Sequence, residues 1–249
     1  MSGPEIVVLS PHCDDAALSL GATLDGMVGR GLPITVVSCF TVSNWAPHLA
    51  DAGGGPDVVS RQRRQEDEEF IRVLGGGVRL LDLELLDAPL RRPGRGIFEP
   101  PAEADAAEVE LLARRLSETL RAAVVLAPLG LGGHVDHLVT RAAALAAAGA
   151  GQLAFYEDVP YVLIASDPEE AAAAAVRTVT AALGEPLQPW QLPHAKPRAA
   201  WERSAGCYRS QFSAGHFAAM IDAIRSRGGE RLWGTTGALQ QLPPSHVTA

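Results

Sequence analysis

The sequence predicts an α/β protein: a doubly wound, mainly parallel five-stranded sheet with helices on both faces. Two observations carry that expectation. Five short apolar, β-branched runs (5–10, 34–40, 78–86, 123–128 and 153–156) alternate with longer stretches of helical spacing, and such alternation builds parallel sheets through right-handed crossovers. The runs at 5–10 and 123–128 are almost continuously apolar inside, as strands covered on both faces are. Each leads into histidine and aspartate, and open α/β sheets bind ligands outside the carboxyl ends of their strands.

In order, 5–10 is the first strand and 15 to about 30 the first helix, stopped by Gly31 and Pro33. The β-branched run 34–40 is the second strand. The loop 41–56, rich in Gly, Asp, Pro and Asn, is long enough to mark a functional or mobile segment. A charged helix with Glu/Arg pairs runs 58–74 and closes at Gly75-Gly76-Gly77. Strand three, 78–86, reads as two short pieces split near Asp82. After a stiff basic loop at 91–101, Val109, Leu112, Leu116 and Leu120 fall at helical spacing within 103–120. Strand four, 123–128, passes through a glycine loop at 129–133 into an alanine-rich helix that His134-Val135-Asp136-His137 opens and that reaches 148. Strand five, 153–156, ends in Glu157-Asp158-Val159-Pro160-Tyr161. Beyond 161 the alternation stops. An alanine-rich helix at 169–183, a proline-rich crossing at 184–197 and a mostly helical stretch from 198 to about 227, broken near 213–215, lead to a short strand or loop at 230–237 and a frayed tail at 242–245.

Apolar residues make up 47% of the chain and aromatics only 5%, so aliphatic side chains and alanine must fill the core. The net charge of −8 mixes both signs along the chain, which argues against a nucleic-acid partner, since those proteins carry a basic face. No apolar run approaches the ~20 residues that span a bilayer, and no basic, apolar leader is visible. Cys13, Cys39 and Cys207 are too scattered for a disulfide framework. A cytoplasmic protein without a membrane partner is expected.

The chemistry concentrates at two strand ends. Strand one delivers His12, Asp14 and Asp15, and strand four delivers His134, Asp136 and His137. If those strands are neighbours at the switch point, the two groups face each other. Adjacent carboxylates repel unless a cation or a helix N-terminus is near, and the cation is read as a metal. An Asp-Asp after a strand is often only a helix cap, and one His-x-x-His is more often a surface pair. Both motifs, each after a parallel strand, rarely coincide by accident. Two histidines, one carboxylate and an open position make a catalytic zinc site. His12 and Asp15, one helical turn apart, can converge on one ion, which leaves Asp14 free as a base. His134 and His137 have the same spacing: one completes the ligand set and the other remains for proton or oxyanion work.

Pro11-His12-Cys13-Asp14-Asp15 followed by Gly133-His134-Val135-Asp136-His137 resembles the PIG-L/LmbE-like family of zinc-dependent de-N-acetylases, whose pattern runs Pro-His-x-Asp-Asp-Glu and then Gly-His-x-Asp-His. Arg63-Arg64-Gln65-Glu66, the segment 155–161, and Lys196 with Cys207-Tyr208-Arg209-Ser210-Gln211 are similar to further family segments. The resemblance implies one Rossmann-like deacetylase domain over 1–249, with 1–161 as core and 162–249 as an extension completing the substrate pocket. It implies His12, Asp15 and His137 as metal ligands, Asp14 as general base, His134 at the oxyanion or leaving amine, and Asp136 orienting His134. The implied metal is zinc, though ferrous iron suits the same donors. The implied substrate is a small N-acylated amino sugar or glycoside, with self-association left open. The alanine- and arginine-rich composition fits a high-GC bacterial source and natural-product chemistry. Ala16 departs from the family's Glu, and Val135 from a common Pro.

Candidate substrate contacts are Arg63, Arg64, Asp87, Glu157 and Asp158. Either arginine can reach a phosphate, carboxylate or sugar hydroxyl, or lie on a solvated helix face. Asp87, Glu157 and Asp158 follow strands three and five at the same sheet edge, although an Asp there equally forms a turn. Tyr156, Tyr161, Trp45 and Phe98 offer stacking faces or core packing. Cys13 reads as a spacer. His194 and His216 are candidate pocket residues, whereas His48 and His246 have no assigned task. Two other readings compete: a two-metal phosphoesterase, and an inactive or nucleotide-binding module. A dinucleotide site needs Gly-x-Gly-x-x-Gly after strand one, where this chain has acids that repel a pyrophosphate.

Overall fold

The computed structural model describes residues 4–49, 54–121 and 123–245; His246, to which the sequence assigns no task, lies outside them. In chain order the elements are β1 (Glu5–Ser10), α1 (Asp15–Val28), β2 (Ile34–Ser38), α2 (Pro56–Leu74), β3 (Arg79–Asp82), α3 (Ala88–Arg91), α4 (Glu103–Leu116), β4 (Ala123–Pro128), α5 (Val135–Ala147), β5 (Leu153–Tyr156), α6 (Tyr161–Ile164), α7 (Pro168–Leu183), β6 (Gln188–Trp190), α8 (Pro197–Ala205), α9 (Ala214–Ser226), β7 (Leu232–Gly234) and α10 (Thr236–Leu239). The strands form one sheet in the order β3-β2-β1-β4-β5-β7-β6. β1 to β5 are parallel, and β7 joins β5 and β6 antiparallel.

Side-chain alternation in the central strands builds a core on each face of the sheet. Val7, Leu9, Val125, Ala127 and Phe155 pack with α4, α5 and α7 on one face. Ile6, Val8, Val124, Leu126 and Tyr156 pack with α1 and α2 on the other. β1 and β4 are direct neighbours, with Ile6 beside Val124 and Val8 beside Leu126. The strand order therefore reverses at β1, and the two histidine motifs leave adjacent strands at the same edge.

The five-stranded parallel expectation is corrected to a seven-stranded mixed sheet. β6 hides in the proline-rich crossing because it is three residues long with Pro189 at its centre, too short for a period. β7 falls within the short strand or loop expected at 230–237, and its pairing, Phe155 opposite Trp233, makes it a strand. β3 stops at Asp82, whose Oδ1 accepts the Glu84 N–H (2.9 Å) and the Thr41 hydroxyl (2.5 Å). Glu84 then turns to a φ of 52°, so the second piece of that strand contributes a single bridge, Val42 to Leu86. The stretch 198–227 breaks earlier than expected, at Ala205, and resumes where Ser213 Oγ caps α9 through the His216 N–H. The tail is packed, not frayed: Leu242 is buried and Pro243 O accepts from Trp190 Nε1 at 3.0 Å.

Candidate metal centre

β1 ends at Ser10, and its hydroxyl closes the following turn by donating to His12 O (2.6 Å) and accepting from Ala16 N (3.0 Å). Asp15, at the start of α1, turns its carboxylate back over this turn. Its Oδ2 accepts the His12 backbone N–H at 2.8 Å and lies 3.1 Å from His12 Nδ1 and 3.3 Å from His137 Nε2. Asp14 caps nothing; its Oδ1 accepts from Arg63 Nη2 at 3.0 Å.

On the β4 side, Gly130, Gly132 and Gly133 have φ of 80°, 74° and 75°, a left-handed path that glycine takes without strain. The path aims the Gly130 and Leu131 N–H groups at Asp158 Oδ2 (2.8 and 3.0 Å). Asp158 Oδ1 in turn holds His137 Nδ1 at 2.6 Å. His134 caps α5 by accepting the Asp136 N–H on Nδ1 at 3.2 Å, which leaves its hydrogen on Nε2. The rings of His12, His134 and His137 lie 4.8–5.3 Å apart between centroids, so the two motifs meet.

Two overlapping donor sets result, His12/Asp15/His137 and His12/His134/Asp136, each with its ligand atoms within 4.8 Å of one another. The first fits a divalent ion better. His137 Nε2 is buried without a hydrogen-bond partner, while its other nitrogen is anchored by a carboxylate, the arrangement that orients metal-binding imidazoles. Asp136 is already neutralised, accepting from Arg91 Nη2 (2.7 Å), Ala88 N (2.9 Å) and His12 Nε2 (3.0 Å).

The charges follow from these partners. Burial works against a proton on His12 and His137, yet bonds to Asp136 and Asp15 raise His12 to about 9, and Asp15 with Asp158 raises His137 to about 10. Carboxylates that hold protons on both rings are equally able to hold a cation. Burial also opposes charge on Asp15, but His137 and His12 carry it well below the usual carboxylate range. Burial raises Asp14 against the opposing pull of Arg63. Burial, with His12 and His137 adding repulsion, drives His134 down to about 2 and keeps it neutral.

Several expected site residues lie elsewhere. Asp158 has no exposed surface and is spent on His137 and the glycine loop, so it cannot meet a substrate. Glu157 is buried against Arg227 (2.8 Å) and Trp233 Nε1 (3.0 Å), where it ties down β7. Arg64 pairs with Asp82 and Glu84 beside β3. Arg63 is 4% exposed; its terminal nitrogens bond Asp14, Ser43 and Trp45 O, which makes it a partner of Asp14, while its Nε finds no hydrogen-bond partner among the described residues. Asp87 is buried and caps α3 through the Leu90 N–H. Asp136 orients the His134 ring through its backbone N–H alone; its carboxylate serves His12. His194 pairs with Asp25 at 2.8 Å, and His216 faces His48; neither contacts these ligands. Ala16 is fully buried among apolar side chains. Tyr156 is core, its hydroxyl donating to Leu9 O. Tyr161 stands 5.1 Å from His137, and Phe98, 55% exposed, edges His134 at 5.7 Å. Arg91, which also lies 4.9 Å over the Phe40 ring, was not singled out in the sequence: one arginine in a basic loop carries no spacing signal.

Fold and site thus define a doubly wound α/β protein with a candidate metal centre at its switch point. The chain belongs to the PIG-L (GlcNAc-PI de-N-acetylase) family, whose profile matches residues 7–148. It is 38% identical over 161 residues to the 2'-N-acetylparomamine deacetylase of Streptomyces fradiae, covering 62% of this chain and 57% of that protein. It is 31% identical over 162 residues to the 1D-myo-inositol 2-acetamido-2-deoxy-alpha-D-glucopyranoside deacetylase of Nocardia farcinica, covering 59% and 53%. The matches thus span little more than half of these curated relatives. Among solved structures, a deacetylase of the teicoplanin biosynthesis pathway superposes with a TM-score of 0.70 at 22% identity, covering 92% of this chain and 96% of that one. The A40926 pseudoaglycone deacetylase superposes at 0.66 with 26% identity and the same coverage.

Proposed function

We propose that the protein is a metal-dependent hydrolase that removes an N-acyl group, in the first instance acetyl, from a small amino-sugar compound. One observation carries the reading: the buried His137 ring, anchored by Asp158 through Nδ1, aims an Nε2 without a hydrogen bond among the described residues at Asp15 Oδ2, 3.3 Å away, with the adjacent Asp14 carboxylate held by Arg63. Family membership and the printed activities of the relatives support it. His12, Asp15 and His137 are the proposed ligands, and zinc the proposed ion, since two imidazoles, one carboxylate and an open position suit it; ferrous iron accepts the same donors. When bound, such an ion acidifies water and polarises an acyl carbonyl.

The chain's own residues do the rest. Asp14 takes the proton of the attacking water as its oxygen bonds to the acyl carbon. His134, with its hydrogen on Nε2, donates to the developing oxyanion without giving up a proton. When the C–N bond breaks, Asp14 returns its proton to the leaving nitrogen, giving a carboxylic acid and a free amine. Arg63 holds the Asp14 carboxylate in place. Phe98 and Tyr161 supply apolar faces for the sugar ring. We read the C-terminal extension as part of the same domain, a reading supported by β6 and β7 extending the one sheet. Among the described residues no helix is long and apolar enough to cross a membrane, and the three cysteines are buried and free; we place the enzyme in the cytoplasm.

A panel of N-acetylated amino sugars and glycosides, scored for free amine with and without chelator, tests the reading. Chelator-sensitive release, with one equivalent of metal, is expected. No release from any member of the metal-loaded protein's panel, or two equivalents with phosphoester cleavage, would overturn it.

A further inference from the structure

A second concavity lies beside α1, eight residues or about 12 Å beyond Asp15 along the helix, and shares no lining residue with the metal centre. It is enclosed by α1, the segment 191–194, α8, α9 and the turn 228–230. Its volume is about 360 Å³, within the ~300–1,000 Å³ of small-molecule sites. Leu192, Pro193, Trp201, Ile221 and Ile224 give it apolar walls, and Glu230 is the single acid among its lining residues.

Glu230 is fixed in an unusual way. Its Oε1 accepts from Ala22 N (2.9 Å) and its Oε2 from Thr23 N (2.7 Å), both inside α1. Trp201 Nε1 donates to Leu18 O at 2.7 Å, the carbonyl that a regular helix would offer to Ala22 N. The Thr23 side chain is a third donor to the carboxylate, which leaves one of its roughly four lone-pair positions for a ligand. No cation neutralises the carboxylate: among the described residues, no Lys, Arg or His pairs with it. The cations that line the cleft are engaged elsewhere, Arg198 by Glu202 (2.9 Å), Arg225 by Asp222 (3.8 Å) and His194 by Asp25 (2.8 Å). Burial pushes the Glu230 carboxyl up to about 7, as expected of an acid left without a counter-charge.

We propose that this cleft binds a small amphiphilic monoamine, with its ammonium on Glu230 and its apolar body against Trp201, Ile221, Ile224 and Leu192. An ammonium supplies the missing positive charge and N–H donors, and the Trp201 ring favours a cation further. An anion of the same shape is repelled, and a neutral alcohol gains only the apolar contact. The site goes beyond the proposed deacetylation and does not depend on it.

The test titrates the full chain with cyclohexylmethylamine, cyclohexylmethanol and cyclohexanecarboxylate, read by calorimetry and by ligand-observed NMR, in the presence of chelator. The amine is expected to bind at least about tenfold more tightly than the alcohol, and the carboxylate not at all. Glu230→Gln should erase the preference for the amine while retaining alcohol binding. Leu192→Trp, which enlarges an apolar wall of the cleft and leaves Glu230 in the chain, should weaken both amine and alcohol. No binding of the amine to the native chain, equal affinity of amine and alcohol, or an amine affinity that survives either substitution would overturn the proposal. If Glu230→Gln fails to fold by circular dichroism, the amine-to-alcohol ratio and Leu192→Trp decide alone.

Discussion

Asp14 and Asp15 are neighbours with opposite fates, and their environments explain why. Asp15 sits among two imidazoles and the His12 N–H, which favour its charge; Asp14 meets a single arginine in a buried site, and burial raises it. Asp14→Asn should therefore keep the metal, because the proposed ligands are untouched, and lower turnover by roughly 10²–10⁴-fold. Metal analysis alongside a rate measurement checks this, and undiminished turnover would remove Asp14 from the base role. Asp158→Asn should leave the fold intact but loosen His137, weakening metal binding by roughly 10–100-fold in a chelator competition. An unchanged affinity would show that the Asp158–His137 bond does not orient a ligand.

At the scale of elements, the contact between α1 and α8 depends on Gly21. A Cβ there would lie 2.8 Å from Ser204 Cβ and 3.6 Å from Trp201 Cα, so even alanine forces the helices apart. Gly21→Ala should cost roughly 1–3 kcal/mol in a denaturant titration. Ser204→Gly in the same chain should recover much of that loss, and a failure to recover would mean the strain lies elsewhere. The glycine loop before α5 is a second case. Its spacing in the sequence announces a turn, but only the fold reveals that the turn exists to present two N–H groups to Asp158.

Across the whole molecule, Asp67 fastens three regions. It accepts from Ser38 Oγ on β2 (2.6 Å) and from Tyr208 OH after α8 (2.7 Å), and it is 2% exposed on α2. Burial outweighs those bonds and lifts its carboxyl to about 7. The folded chain thus holds a proton that the unfolded chain, with an ordinary Asp near ~4, has lost. This contribution is fully present below pH ~4 and is lost as pH rises through about 7, a swing on the order of 4 kcal/mol. Asp67→Asn should flatten that part of the stability–pH curve, and an identical curve would show that Asp67 does not hold the proton. A fragment ending at residue 161 lacks β6 and β7 and the buried Trp201 and Tyr208, so it should fail to fold cooperatively in thermal denaturation. A sharp transition would refute the single-domain reading.

The choice of His137 over His134 as ligand came from the family resemblance, and the adjacency of the two histidine motifs from the pairing of β1 with β4; the sequence by itself determined the parallel core and the placing of each motif at a strand end. These rest on apolar runs and short spacings, which act over a few residues and survive any packing. Only the tertiary structure decided where the supporting charges go. Asp158 turned from substrate to His137, the Asp136 carboxylate from His134 to His12, and Arg63 from substrate to Asp14, while Arg91 emerged to hold Asp136. Likewise β7 became a strand only on pairing with β5, and β6 only on pairing with β7. Each of these depends on which buried donor and acceptor finds a partner across the sheet, a long-range condition that no local pattern encodes.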